Sequence, residues 1–382
     1  MRANIKAFVG LDVHKDSIAI AYANADFGEP PRFLGTTSFS VFSLTKALAK
    51  LGKPEELSVC HEAGPCGYGL VRSLRQRGYV TEVIAPSRVA RQPADRIKTD
   101  RRDALLLARL LRSAELTPIV VPEPKDEAIR DLVRTREDAM HDRQRARLRL
   151  RSFLLRQGQS YTGRRWGPAH QLFLSKIKFE DPAHHIAFTE YRLAVHVRTE
   201  CVERLDTALR EEVRSWRSLP AINALMTLRG IDFLSATTIV AELGDLRRFP
   251  HPRELMGYLG LVPSEHSSGP TQHRGALTKT GNTHVRRILI EAAWNYRFAA
   301  RIGESLQPRL EGQPQHIVAI AWKAQVRLCA RFRRLRARGV HHNKVTAAIA
   351  RELCGFIWDI GRQFAGCSSG YEAHTPRTLT NR

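Results

Sequence analysis

Four carboxylates sit where a strand ends or a helix begins. Asp12 closes the apolar run KAFVGLDV (6–13), and Glu62 closes ELSVCHE (56–62). Asp100 and Asp103 lie three residues apart at the start of TDRRDALLLARLLRSA (99–114), a strongly helical string, so they share one helix face. Strand ends and a helix face can converge on one point, where several carboxylates repel each other unless a hard divalent cation sits among them. Mg²⁺ or Mn²⁺ suits such oxygen donors. Two such ions about 4 Å apart can activate an attacking oxygen and stabilise a leaving one in phosphodiester transfer. Taken singly, each acid reads more simply as a helix cap, a solvated side chain or, for Asp103, the partner of a neighbouring arginine. The set of four, on elements in this order, carries the metal reading.

Those elements form a recognisable series. KAFVGLDV and SIAIAYA (17–23) read as two strands joined by a tight HKD connection, hence a hairpin. Residues 40–52 read as a helix, ELSVCHE as a strand, GPCGYGL as a turn into a helix reaching Arg77, and YVTEVIA (79–85) as a strand again. Strands alternating with helices predict an α/β domain over residues 1–122, with VVPEPKDE (120–127) as its polar boundary. Lys125 to Gln157 then reads as one long helix, with Leu132, Ala139, Ala146 and Phe153 every seven residues and arginines 143, 145, 147, 149, 151 and 156 crowding its second half. A second helical stretch, 186–216, carries Tyr191, Ala194, Cys201, Leu205 and Leu209 at comparable spacing, and GQSYTGRRWGPAH between the two reads as a loop. Residues 123–217 are therefore either an antiparallel coiled-coil arm or a helical bundle packed on the first domain.

A third unit is expected over 218–365. LMTLRGIDFLSATTIVAELGDLRRF (225–249) is compatible with a helix-hairpin-helix, whose helix N-terminus can hold phosphate, and equally with an ordinary helical hairpin. Residues 257–282 are rich in Gly, Ser and Thr. Residues 283–301, 315–338 (with a basic face of Arg327, Arg331, Arg333, Arg334, Arg336 and Arg338) and 345–360 read as helices, and 366–382 as a disordered tail.

Composition narrows the partner. The chain has 382 residues, 43% of them hydrophobic, a formal net charge of +23 and a pI near 10.5. An excess of that size implies an anionic polymer. No apolar run approaches the roughly 20 residues a membrane-spanning helix needs, and the N-terminus does not read as a secretion signal, which leaves nucleic acid rather than a membrane. Six cysteines (Cys60, Cys66, Cys201, Cys329, Cys354, Cys367) without a C-x-x-C pair read as reduced thiols. Cys60, His61 and Glu62 do not have the spacing of a structural zinc site.

The strings GLDVHKDSI (10–18), HEAGPCGYGL (61–70) and KTDRRDALLLARLL (98–111) together resemble the DEDD-type insertion-sequence transposases, in which a RuvC-like, RNase H-fold domain precedes a C-terminal transposase domain. LRGIDFLSATTIVAELGD (228–245), FPHPRELMGYLGLVPSEHSSG (249–269), TKTGNTHVRRILIEAAW (278–294) and KVTAAIARELCGFIWDI (344–360) follow in the family's order. The resemblance runs from about residue 6 to 361 and is weakest in the middle helices. It implies an α/β plus α architecture: a RuvC-like domain, a helical or coiled-coil middle and a mainly α-helical transposase domain. It also implies that Asp12, Glu62, Asp100 and Asp103 are catalytic ligands of Mg²⁺ or Mn²⁺.

The family's C-terminal domain carries a serine just before a glycine that acts as nucleophile on DNA phosphate. Here that position is Ser268, with Ser267 as the less favoured neighbour. Such a serine would form a phosphoserine–DNA intermediate that conserves the phosphodiester energy. By itself the tripeptide SSG reads as a turn. His266, Arg274 and Lys279 are close in sequence and can orient phosphate, although no motif assigns them that role. The resemblance further implies element-end and target DNA as substrates, a structured non-coding guide RNA, a dimer or tetramer of the chain, and a place at the nucleoid in the bacterial cytoplasm. A RuvC-like structure-specific endonuclease would show similar carboxylates but would need neither the long C-terminal half nor Ser268. A non-catalytic nucleic-acid-binding protein would not need the carboxylates intact.

Overall fold

A computed structural model describes residues 5–86, 89, 99–268 and 271–364, with residues 266–268, 272 and 274 described by their backbone alone. The expected tail, 366–382, lies outside the described residues. The chain divides into two compact units, residues 1–121 and 122–382.

The first unit holds β1 (Ala7–Val13), β2 (Ser17–Asn24), β3 (Arg32–Ser38), α1 (Val41–Leu48), β4 (Leu57–Glu62), α2 (Gly69–Gln76), β5 (Val80–Ile84) and α3 (Asp100–Arg112). The strands form one mixed sheet in the order β3-β2-β1-β4-β5. β1, β2 and β3 are antiparallel neighbours, while β4 and β5 continue from β1 in parallel. Both faces of β1 are covered, as a central strand requires. Ala7, Val9 and Leu11 pack with Ile18, Ile20, Leu57 and Val59 and with Leu44, Leu48, Leu70 and Leu74 of α1 and α2. On the opposite face Phe8 joins Cys60, Ile84 and Leu107, Leu110 and Leu111 of α3.

Gly10 decides how closely α3 approaches. A Cβ at that position would stand 2.3 Å from the Ala104 carbonyl oxygen, 2.5 Å from the Ala108 nitrogen and 2.8 Å from the Leu107 Cβ. The neighbouring surface is equally small, with Ala19, Ala21 and Ala23 of β2 packed against Ala104 and Ala108. The helix backbone thus rests almost on the sheet.

The second unit is mostly helical: α4 (Pro124–Arg156), α5 (Pro168–Lys176), α6 (Pro182–Arg214), α7 (Leu219–Leu225), α8 (Phe233–Leu243), α9 (Pro252–Tyr258), the hairpin β6 (Pro263–Ser268) and β7 (Thr271–Leu277), α10 (Thr283–Ala293), α11 (Gln307–Leu310), α12 (Gln315–Ala337) and α13 (His342–Gly361). α4 and α6 run antiparallel. Phe153 near the end of α4 meets Phe188 and Tyr191 near the start of α6, while Arg136 pairs with Asp206 and Lys125 with Glu212 at the other end. The buried seam of α6 is Phe188, Val195, Val202 and Leu209, spaced by sevens. Of the expected seam residues only Leu209 belongs to it; Tyr191 and Ala194 are partly buried beside it. The expected loop at 158–170 ends early, because Pro168 starts α5, where proline's missing N–H costs nothing.

The bases of α4 and α6 enter one large core with α7, α8, α9, α10, α12 and α13. Two acids fasten α4 there. Glu242 of α8, 1% exposed in its side chain, accepts from Arg134 Nε and Nη2 at 2.7 and 2.9 Å and from Asn282 Nδ2 at 2.6 Å. Glu137 of α4 meets His284 at 2.7 Å and Arg287 at 3.0 Å on α10. Burial alone would raise the pKa of Glu242, but the hydrogen bonds from Arg134 and Asn282 bring it below the ordinary carboxylate range.

Gly10→Ala is expected to lower the unfolding free energy by about 1–3 kcal/mol, the cost of forcing a methyl group into a filled contact. Urea denaturation measures it, with Gly69→Ala, where an added Cβ meets nothing within 4 Å, as the control. Equal stabilities for the two variants would mean that α3 does not depend on this contact.

Candidate metal centre

The Gly10 contact sets the position of the acids. Asp12 lies two residues beyond Gly10 and so faces the same way, towards α3. Ala104, whose carbonyl abuts Gly10, follows Asp103 directly and lies one turn after Asp100. The end of β1 and the first turn of α3 therefore meet. Thr99 caps that turn by accepting from the Arg102 amide at 3.3 Å. Asp100 and Asp103 then occupy the positive end of the helix dipole, where negative charge is favoured.

Asp12, His14 and Asp100 offer ligand atoms that all lie within 4.8 Å of one another. His14 Nε2 is 3.3 Å from Asp12 Oδ2 and 3.4 Å from Asp100 Oδ1. The Asp12 side chain is 19% exposed and that of Asp100 60%, so the cluster is anchored on one side and open to solvent on the other. Burial raises the Asp12 pKa; His14 opposes the rise, and the charges of Asp100 and Asp103 add to it. Asp103 is thus within electrostatic reach of Asp12. Glu62 ends β4, one residue beyond the last parallel pair, Leu11 with His61, and so stands at the strand end beside Asp12.

Sequence reasoning passed over His14 as part of a tight turn. The available signal was its spacing: in an extended chain, residues 12 and 14 point to the same side. Carboxylate oxygens with one imidazole fit Mn²⁺ and, if the imidazole stays outside the coordination shell, Mg²⁺. The neighbouring Cys60 and His61 do not join the site. Cys60 is fully buried, its thiol pushed up by desolvation, and it donates to the Leu107 carbonyl at 3.8 Å; His61 Nδ1 lies 3.0 Å from the Glu62 carbonyl.

Ser267 and Ser268 belong to the second unit. The Gly-, Ser- and Thr-rich stretch forms a hairpin here, with Ser267 opposite Gln272 and Ser268 opposite Thr271. Their side chains, and those of His266 and Arg274, lie outside the described residues. Lys279 is exposed, with a positive φ of 55°, and its amide donates to the Gly260 carbonyl at 3.2 Å. In the segment compatible with a helix-hairpin-helix or an ordinary helical hairpin, Asp232 caps α8 by accepting from the Ser235 amide at 2.8 Å.

The mixed sheet, the helical second unit and the acids at the mouth of β1 are consistent with an RNase H-like DEDD transposase. A DEDD transposase model of the IS110 type, described as "Transposase", matches residues 9–157, and a second, "Transposase IS116/IS110/IS902 family", matches residues 222–305. "Putative transposase y4qE" of Sinorhizobium fredii is 43% identical over 360 residues, covering 94% of this chain and 89% of the relative. The transposase for insertion sequence element IS1533 of Leptospira borgpetersenii is 32% identical, over 87% of this chain and 97% of its own length. That for insertion sequence element IS1328 of Yersinia enterocolitica is 25% identical, over 82% and 92%. The chain belongs to the IS110/IS116/IS902 family of insertion-sequence transposases. It is an enzyme acting on DNA, of a class that uses divalent metal ions, and among the described residues no helix is long and apolar enough to cross a membrane.

A carboxylate whose pKa is higher folded than unfolded stabilises the fold below its unfolded pKa and loses that contribution as pH rises through the folded value. At neutral pH, ionised Asp12 therefore costs the metal-free fold stability. Mg²⁺ or Mn²⁺ is expected to raise the melting temperature by about 3 °C or more at neutral pH. That gain should shrink as pH falls through the raised Asp12 pKa, where protons compete with metal. Asp12→Asn should melt higher than the native chain without metal and not respond to metal; a native response in this variant would remove Asp12 from the site.

Proposed function

We propose that this transposase cleaves and exchanges DNA strands at the ends of a bacterial insertion sequence, with metal held by Asp12, Glu62, Asp100 and Asp103 and with Ser268 as nucleophile. The observation that carries the reading is the convergence of Asp12 and Asp100, from separate elements, on His14 within 4.8 Å. Divalent metal bound among these acids would supply charge stabilisation to the attacked phosphate. His14 Nε2, within 3.4 Å of both Asp12 and Asp100, orients their oxygens. Asp103 adds charge from the next helical position on the same face, and Glu62 closes the set from β4.

In the proposed step the Ser268 Oγ loses its proton to a base, bonds to phosphorus and expels a sugar oxygen, which leaves as a hydroxyl on taking up a proton. The serine ester stores the energy of the broken phosphodiester, and attack by another strand's hydroxyl returns it and frees the serine. Ser267 is the less favoured alternative. His266, Arg274 and Lys279 belong to the same hairpin and its exit, and are suited to orienting phosphate.

The remaining assignments follow the same reading. Residues 1–122 form the RuvC-like catalytic domain, 123–217 an arm that we read as a coiled coil because the α6 seam repeats by sevens, and 218–365 the transposase domain. A structured non-coding RNA guides the choice of DNA. The basic face of α12, where Arg327, Arg331 and Arg334 recur on one side and Glu352 meets the first two, suits a phosphate backbone. The active form is a dimer or tetramer, acting at the nucleoid in the cytoplasm.

The test combines purified protein, donor and target DNA, Mg²⁺ and RNA transcribed from the element's flanking non-coding DNA. Native protein is expected to give RNA-dependent junctions and a protein–DNA adduct. Ser268→Ala should lose both, by about a thousandfold or more in rate, while binding DNA normally. Junctions formed at native rates by Ser268→Ala would eliminate the serine mechanism. Metal-dependent nicking by the native protein, without adduct or junctions, would identify a hydrolytic nuclease instead.

A further inference from the structure

Arg101 stands between two of the acids in sequence, directly after Asp100 and two residues before Asp103. It is exposed, yet it does not hang free: its guanidinium carbon lies 5.4 Å from the centre of the Phe33 ring. Phe33 owes its position to an irregularity in β3. Ile20 pairs with Gly35 but the next residue, Ala21, pairs with Phe33, so Leu34 is an extra residue in the ladder. The bulge turns Leu34 towards the core of α1 and α2, and Phe33 towards α3, where it packs with Leu105 against the alanine seam. Arg101 and Leu105 are one helical turn apart, so both lie on the side of α3 that faces β3.

A guanidinium held over a ring by its charge leaves its N–H donors available to a second partner. Among the described residues, no hydrogen bond or ion pair engages those of Arg101. Arg112, at the other end of the same helix, shows the contrast: it also lies over a ring, that of Phe27, but it donates to the carbonyls of Asn24, Asp26 and Glu29 and so ties down a loop. Among the described residues, Arg101 is thus held in place with its donors unspent, beside a group of acids that would by themselves repel a phosphate.

We infer that Arg101, braced by Phe33, binds a phosphate of the DNA strand flanking the bond that is cleaved. The planar fork meets two non-bridging oxygens of that phosphate, which fixes the strand along the β3 side of the acid cluster. The edge strand's bulge is the device that makes this anchor rigid. The inference rests on the proposed cleavage site, and binding measurements separate the two.

The experiment uses the full-length protein and fluorescein-labelled DNA carrying the element's ends, with Ca²⁺ replacing Mg²⁺ so that binding is read without reaction. Arg101→Ala is expected to weaken binding about tenfold, the usual loss for a charge-assisted contact. It should also reduce the salt dependence of log K by about one, the signature of one lost phosphate contact. Arg101→Lys should recover the salt slope but only part of the affinity, since lysine cannot make the fork. Phe33→Leu, which keeps the apolar packing but removes the ring, should weaken binding about threefold without changing the salt slope. Unchanged affinity and salt slope in Arg101→Ala, with native melting temperature, would overturn the inference. If instead the native protein shows the Arg101 effect on binding but neither metal response nor cleavage, the proposed cleavage site fails and the phosphate anchor stands.

Discussion

The close approach of α3 to β1 at Gly10 governs the geometry of the first unit. A helix on a sheet ordinarily stands off by the length of its side chains. Here glycine and alanines on both surfaces let the helix backbone reach the strand, and the acids at the start of α3 come within reach of Asp12. A larger residue at position 10 would push the start of α3 away from the end of β1. The contact thus sets the placement of these acids as well as the packing of the helix. It is also electrostatically expensive, since burial and the charges of Asp100 and Asp103 raise the pKa of the partly buried Asp12. His14 and the N-terminal dipole of α3 offset part of that cost.

The second unit handles buried charge in the opposite way. Glu242 and Glu137 are each supplied with arginine or histidine and, for Glu242, an asparagine as well. An acid buried without partners would cost several kcal/mol. These two instead fix α4 to α8 and α10, so the antiparallel pair of α4 and α6 is joined to the helical core at a defined place. These two acids are satisfied by the protein and serve architecture.

Several elements were legible because their apolar content is high. β1, β2, β4, β5 and α3 are buried on one or both faces, and burial writes itself into sequence as runs of Val, Ile, Leu and Ala. β3 is different. RFLGTTS is an edge strand, interrupted by a bulge and by Gly35 at a φ of 140°, and its burial pattern does not alternate cleanly. The β6–β7 hairpin is written almost entirely in polar residues, so PSEHSS reads as a loop. The spacing of His14 from Asp12 puts the two on one side of the chain, but it gains meaning only when α3 brings Asp100 opposite them.

The sequence by itself determined the alternation of strands and helices, the four acids at element ends, the basic balance and the family, because each is a local pattern or a shared string of residues. Tertiary structure decided which acids meet. It set Asp12 and Asp100 around His14, raised the Asp12 pKa and turned Phe33 towards Arg101 through one extra residue in β3. These outcomes depend on how near two backbones come and on the register of a strand pair. Distances of that kind are set by the packing of residues far apart in the chain, and no local spacing encodes them.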